Sequence, residues 1–194
     1  MFTLILRLVT ISWQSLKDKI SIGAPRKIIL GIDPGLARMG YGVIVQQSGR
    51  LKALDYGTIT SAAHTPIAGR LVVLFDQIQK VIKKHKPDAV VLEELFFSKN
   101  VKTGIVVSQA RGVAVLAAGL AGLPVFEYRP VEVKQAVTGY GQAQKEQVQR
   151  MVKLLLGLNE VPKPDDTADA LAVALTHAQI GGGVLARMIQ ENKK

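Results

Sequence analysis

The chain contains no cysteine, which excludes disulfides and thiolate metal sites. Histidine is scarce as well, with three in 194 residues, so any metal would be held mainly by carboxylates. Oxygen-only ligands favour Mg²⁺ or Mn²⁺ over zinc. Acids are outnumbered, 15 against 25 Lys and Arg, for a formal net charge of +10. A long apolar run is missing too. The stretch MFTLILRLVTISW is interrupted by Arg7, and GVAVLAAGLAG is too short to cross a bilayer. The first of these has neither a basic n-region nor a convincing small-residue cleavage site, which argues against a signal peptide.

What is present is ordinary for a globular domain: 48% hydrophobic and 21% charged residues, in a chain long enough to bury a sizeable core. The positive charge is spread over the chain. Residues 1–26 contribute +3, residues 27–177 contribute +5 and residues 178–194 contribute +2. A basic body that gathers its acids into a few motifs suits a polyanionic partner gripped around an acidic centre. Residues 1–26 read as an extension foreign to the rest of the chain, either a short amphipathic helix or, preferably, residues added by an upstream start codon. Residues 27–178 read as the domain and 179–194 as a flexible tail.

The stretch Lys27 to Gly42, KIILGIDPGLARMGYG, is the one around which the domain is organised. Ile28 to Gly31 suit a buried strand, and Asp33 stands at its end, held by Pro34 and Gly35. A bare carboxylate is costly to bury, so Asp33 needs a metal, a cation or water. Alternation resumes through Tyr41, Val43 and Val45 as a returning hairpin strand, and Arg50 to Ile59 alternates as a third strand. The next element is a helix from Pro66 to about Lys84, with Thr65 as its expected cap. Asp88 to Leu92 reads as a fourth, buried parallel strand with Glu93 and Glu94 at its end.

Ser98 or Asn100 is the expected cap of the next helix, which runs through Gln109 to Gly112 and on to about Ala121. Its apolar second half predicts full burial or a subunit interface. Leu123 to Tyr128 is a fifth strand, Pro130 to Val137 and Gln144 to Leu156 are helices, and Asp165 or Asp166 caps a last helix reaching His177. The order βββαβαβα with a mixed five-stranded sheet and helices on both faces is α/β architecture.

If the first and fourth strands are parallel neighbours, Asp33 and Glu93 meet at their C-terminal ends, where open α/β sheets bind ligands. Strand alternation sends Glu93 and Glu94 to opposite faces, so one of them joins the site. Asp166 and Asp169 are three apart and share a helix face, but Asp165 and Asp169, four apart, could do so too. Spacing leaves both choices open.

These motifs carry a resemblance. GIDPGLxxxGYGV, LEELFFSKN, QARGVAV, PVFEY with VKQAVTGYGxAxKxQV, and DDTADALAVALTH succeed one another as in the RuvC family of Holliday-junction resolvases, over Lys27 to about His177. The resemblance implies an RNase H-like fold and a cytoplasmic, Mg²⁺-dependent endonuclease, with Mn²⁺ as substitute and two ions per site. That enzyme acts as a homodimer on four-way junction DNA beside a branch-migration complex of the RuvA and RuvB type. It implies Asp33, Glu93, Asp166 and Asp169 as catalytic metal ligands and Lys134 and Lys145 as DNA contacts. It also makes Phe96 a base-stacking wedge.

Tyr140, in a Gly-flanked loop, is a further DNA-contact candidate. His177 reads as a core residue or a second-layer support rather than a ligand. Two alternatives stand beside this reading. An ATPase of the actin and sugar-kinase type needs a second domain that 194 residues cannot supply. A junction-binding scaffold without catalysis is disfavoured because all four acids are present.

Overall fold

The computed structural model describes residues 26–95 and 101–181. Within them lie five strands, β1 (Lys27–Asp33), β2 (Arg38–Gln47), β3 (Arg50–Thr60), β4 (Ala89–Glu93) and β5 (Val125–Tyr128). Five helices complete the set: α1 (Ile67–His85), α2 (Val101–Leu120), α3 (Pro130–Thr138), α4 (Lys145–Leu156) and α5 (Asp165–Ile180). The strands form one sheet in the order β3-β2-β1-β4-β5. The pairs β1–β2 and β2–β3 are antiparallel, whereas β1–β4 and β4–β5 are parallel. The tight Ser48–Gly49 turn, with positive φ at both residues, suits the β2–β3 hairpin.

Two cores arise from the alternation of β1 and β4. Leu30, Ile32, Val90 and Leu92 face α1 and α2, where Leu74, Ile78, Ala110 and Ala114 meet them. Ile29 and Val91 face the other way, against Leu171, Val148 and Val133 of α5, α4 and α3. Asp33 and Glu93 continue this second set, two residues beyond Gly31 and Val91.

Several local expectations are corrected. Thr65 does not cap α1; the cap position is Pro66, with no side-chain bond, and Thr65 instead donates its backbone N–H to Ala62. Neither Asp165 nor Asp166 caps α5, because Pro164 holds that position and both acids lie inside the first turn. They find cations elsewhere. The fifth strand starts at Val125 rather than Leu123: Leu123 is tied back to the end of α2 through Ala118, and Pro124 has no N–H to donate to a ladder. The proposed caps Ser98 and Asn100 lie outside the described residues, as does Phe96.

The apolar half of α2 is neither wholly buried nor wholly exposed. Ala114, Ala117 and Ala118 are buried, whereas Leu116 and Leu120 are exposed. Arg111, in the same helix, pairs with Glu127 of the edge strand β5. Among the described residues, no helix is long and apolar enough to cross a membrane.

Candidate active site

The site is built by an unusually close helix–sheet contact. A Cβ on Gly31 would collide with the backbone carbonyl of Ala170, one on Gly40 with that of Asp166, and one on Gly42 with the Leu171 side chain. Three glycines on neighbouring strands thus let the first turns of α5 lie directly on β1 and β2. Asp33 pairs with Gly40 across the ladder, so the contact that seats Asp166 also sets it beside Asp33. Asp169, one turn on, reaches toward the end of β4. Sequence reasoning missed this role of the glycines, although their spacing in GID and GYG was the available signal.

The alternatives left open by spacing differ in their surroundings. Glu93 is half-buried on the α5 face while Glu94 is exposed. Asp33 is held up by burial first, then by repulsion from Asp169, Asp166 and Glu93, so that its carboxyl rises to about 7. Asp165 is not among those neighbours; its side chain is 65% exposed and faces Lys145 at 3.4 Å. Burial and Asp169 raise Glu93, against the pull of Lys134 and Lys145. Asp169 is also raised by burial, even though Lys145 Nζ donates to its Oδ2 at 2.9 Å. For Lys145, burial lowers the pKa but the bonds to Asp169 and Asp165 outweigh it, and the ammonium stays charged. Both partners of that pair are raised because desolvation dominates at the acid and ion pairing at the amine.

Glu93, Val133, Lys134, Lys145, Val148 and Asp169 line a cleft of about 250 Å³ beside the acids. Lys134 and Lys145 therefore stand at its α3 and α4 wall. Tyr140 is 59% exposed in the loop after α3, away from any core. On the other side of the acids, Arg38 Nη1 donates to Asp166 Oδ2 at 3.2 Å. Sequence reasoning did not single out Arg38; its partner lies 128 positions away.

His177 sits elsewhere. It is eight residues beyond Asp169, about 12 Å along the helix axis. Its ring stacks on Phe126 with centroids 4.4 Å apart, and its Nδ1 meets Tyr128 Oη at 2.9 Å. Burial, with a smaller push from Lys27, lowers its pKa to about 4, so the imidazole is neutral at pH 7. Its hydrogen bond goes to Tyr128 and to none of the four acids.

A larger cleft of about 430 Å³ lies between β3 and α1. Its one acid, Asp55, is already matched by Lys84 and His85, each at 2.7 Å, so it offers no comparable concentration of unpaired charge.

Among the described residues, no three acid or histidine side chains converge closely enough, as they stand, to enclose an ion. Asp166 and Asp169 are turned instead to Arg38 and Lys145. The donor set nevertheless fits hard divalent cations: it is all oxygen and contains a half-buried carboxylate, Asp33, whose charge its neighbours oppose.

The family model described as crossover junction endodeoxyribonuclease RuvC matches residues 29–177. The enzyme of that name from Desulfitobacterium hafniense is 57% identical over 151 residues, covering 78% of this chain and 92% of that protein. The one from Brevibacillus brevis is 55% identical, covering 78% and 91%. Thermus thermophilus RuvC, solved in complex with a Holliday junction substrate, superposes with a TM-score of 0.76 at 38% identity, covering 84% of this chain and 96% of that one. The yeast mitochondrial Holliday junction resolvase Ydc2 shares the fold at 15% identity and a TM-score of 0.59. With most of its length matched at this identity, and the motif acids gathered at one end of an RNase H-like sheet, the chain belongs to the RuvC family of crossover junction endodeoxyribonucleases.

Proposed function

We propose that this crossover junction endodeoxyribonuclease cleaves four-way DNA junctions at the cluster formed by Asp33, Glu93, Asp166 and Asp169. The observation that carries the reading is the glycine-seated contact that brings the first turns of α5 over the end of β1. Four carboxylates from three elements then stand within electrostatic reach of one another at one end of the sheet, next to a basic wall.

These acids would hold divalent cations, two Mg²⁺ per site with Mn²⁺ as substitute. When bound, such ions supply an activated water for attack and charge stabilisation at the leaving 3′-oxygen. The chain's own contribution is positional. Asp33 and Glu93 are fixed by parallel neighbouring strands, and Asp166 and Asp169 by one helix turn. Lys134 and Lys145 attract the backbone phosphate toward an acidic centre that would otherwise repel it. Tyr140 is exposed where a base could meet it, and Phe96 is the wedge that the family resemblance implies. His177 supports β5 through Tyr128 rather than the acids directly.

The expected products are a 5′-phosphate and a 3′-hydroxyl on two symmetrically nicked strands. Two equivalent nicks call for two equivalent sites, and a homodimer supplies them. Support for it comes from α2, where Ile105, Leu116 and Leu120 are exposed and a Cβ at Gly112 or Gly119 would meet open space. A branch-migration complex of the RuvA and RuvB type is the proposed larger assembly.

The test is cleavage of a synthetic four-way junction with Mg²⁺, beside a linear duplex of the same sequence and an ATP-hydrolysis control. Paired nicks confined to the junction are expected. Binding without cleavage would favour a scaffold, and ATP hydrolysis would favour a nucleotide-clamping relative.

A further inference from the structure

The four acids have a basic wall on one side, made of Lys134 and Lys145. A DNA strand that crosses the cluster leaves on the other side, along the start of β2. We infer that Arg38 grips a backbone phosphate of the cleaved strand there and, through the same guanidinium, holds Asp166 in place. This rests on the junction-cleaving reading.

Three observations carry it. First, Arg38 is the opening residue of β2, two positions before Gly40, whose close contact seats Asp166. It therefore stands at the lip of the site through backbone geometry that the fold already fixes. Second, its charge is only partly used. The side chain is 50% exposed, and among the described residues its single hydrogen bond is Nη1 to Asp166 Oδ2 at 3.2 Å. A guanidinium has five N–H donors in a planar fork, so donors remain for a phosphate.

Third, the turn that carries it is braced. Ser61 donates its backbone N–H to Ala37 at 3.2 Å and its hydroxyl to the Leu36 carbonyl. Arg70 Nε in turn donates to Ser61 Oγ at 2.9 Å. A cation on a braced turn loses little freedom when it binds.

The charge pattern gives the need. Phosphates to either side of the scissile one lie beyond the metal positions and still meet carboxylate charge, which a flanking cation offsets. Lys145 is committed to Asp165 and Asp169 on the α4 side. Arg38 provides the matching contact on the β2 side. A lysine there would keep the charge but could not present two donors at fixed angles to a phosphate and Asp166 together.

The experiment uses the full chain and its Arg38→Gln and Arg38→Lys variants, each checked for fold by circular dichroism. Binding to a four-way junction is measured in Ca²⁺ over a range of salt. Wild type should show a slope of log affinity against log salt steeper than Arg38→Gln by about one phosphate contact, and Arg38→Lys should restore it. Junctions carrying one neutral methylphosphonate at successive positions beside the scissile phosphate then locate the contact. One position should weaken wild type but leave Arg38→Gln unaffected. Arg38→Lys should cleave more slowly than wild type at saturating junction, because binding is restored and the hold on Asp166 is not.

An unchanged salt slope in Arg38→Gln would overturn the inference. So would methylphosphonate losses identical to wild type at every position, which would leave Arg38 only a partner of Asp166. Failure of wild type itself to cut the junction would instead overturn the endonuclease reading on which this depends.

Discussion

The two faces of the sheet are packed by different means. Toward α1 and α2, β1 and β4 present Leu30, Ile32, Val90 and Leu92, and the helices answer with Leu74, Ile78 and Ile82. That is ordinary interdigitation of branched side chains, and its work is stability. Toward α5, β1 and β2 present Gly31, Gly40 and Gly42, and the helix answers with Ala170, Ala174 and its own backbone. Small residues there sacrifice buried side-chain area for proximity. The difference teaches that both faces carry a core, since Ile29 and Val91 also pack on Leu171 and Val133, while the glycine contact on the α5 side in addition fixes where carboxylates stand.

The contrast breaks most sharply at the acids. Asp33→Asn and Asp169→Asn should drop junction cleavage below detection at saturating Mg²⁺ while leaving gel-shift binding intact or tighter. Losing charge weakens the repulsion toward phosphate. Substantial cleavage by either variant would remove the acids from the chemistry.

A variant on the opposite face should do the reverse. Leu74 is fully buried in α1, so Leu74→Ala should cost about 2–5 kcal/mol of stability. The fraction still folded should cleave at the wild-type rate, measured well below the lowered melting temperature. A rate loss beyond the unfolded fraction would mean that both faces position the site.

The third effect is smaller and depends on pH. Asp33 binds its proton more tightly when folded, with a pKa near 7 against an ordinary 3.8, because of burial and neighbouring acids. The stabilisation this gives is complete below about pH 4 and is lost as pH rises through about 7. Metal-free wild type should therefore weaken over that window, by on the order of a few kcal/mol. Asp33→Asn lacks the ionisation, so its melting temperature should exceed that of wild type at pH 8 and converge with it near pH 4. A gap independent of pH would contradict the assignment.

Smallest is the effect at the exposed stripe of α2. Leu116→Glu should leave the fold and the metal-free melting curve nearly unchanged, since Leu116 is 55% exposed. In sedimentation it should shift a dimer toward monomer and convert paired nicks into single ones. A variant that stays dimeric would put the interface elsewhere.

Much of this organisation was legible in the sequence because it depends on short-range periodicity. Alternation along β4 alone excluded either Glu93 or Glu94, and the apolar runs of β1 and β4 announced buried strands, whose parallel pairing the structure supplies. The choice between Asp165 and Asp166 was not legible, since offsets of three and four residues both share a helix face. The Gly40 contact seats Asp166 beside Asp33 and leaves Asp165 toward Lys145, and that contact joins residues 126 positions apart. Arg38 escaped notice for the same reason. The caps expected at Thr65 and at Asp165 or Asp166 failed because prolines occupy those positions and the acids had stronger partners in Arg38 and Lys145. His177 read as a core or second-layer residue; its partners, Phe126 and Tyr128, put it in the layer behind β5.

The central claim is that close seating of α5 on glycine sets the spacing of the acids, and Gly40→Ala tests it most directly. The added methyl meets the Asp166 backbone, which cannot swing aside as a side chain could, so α5 must lift. Single-turnover cleavage of a four-way junction at saturating Mg²⁺ should fall by about 10²-fold, the cost of misplacing a catalytic group by roughly 1 Å, while circular dichroism still reports a folded domain. A folded Gly40→Ala protein cleaving at the wild-type rate would contradict the account.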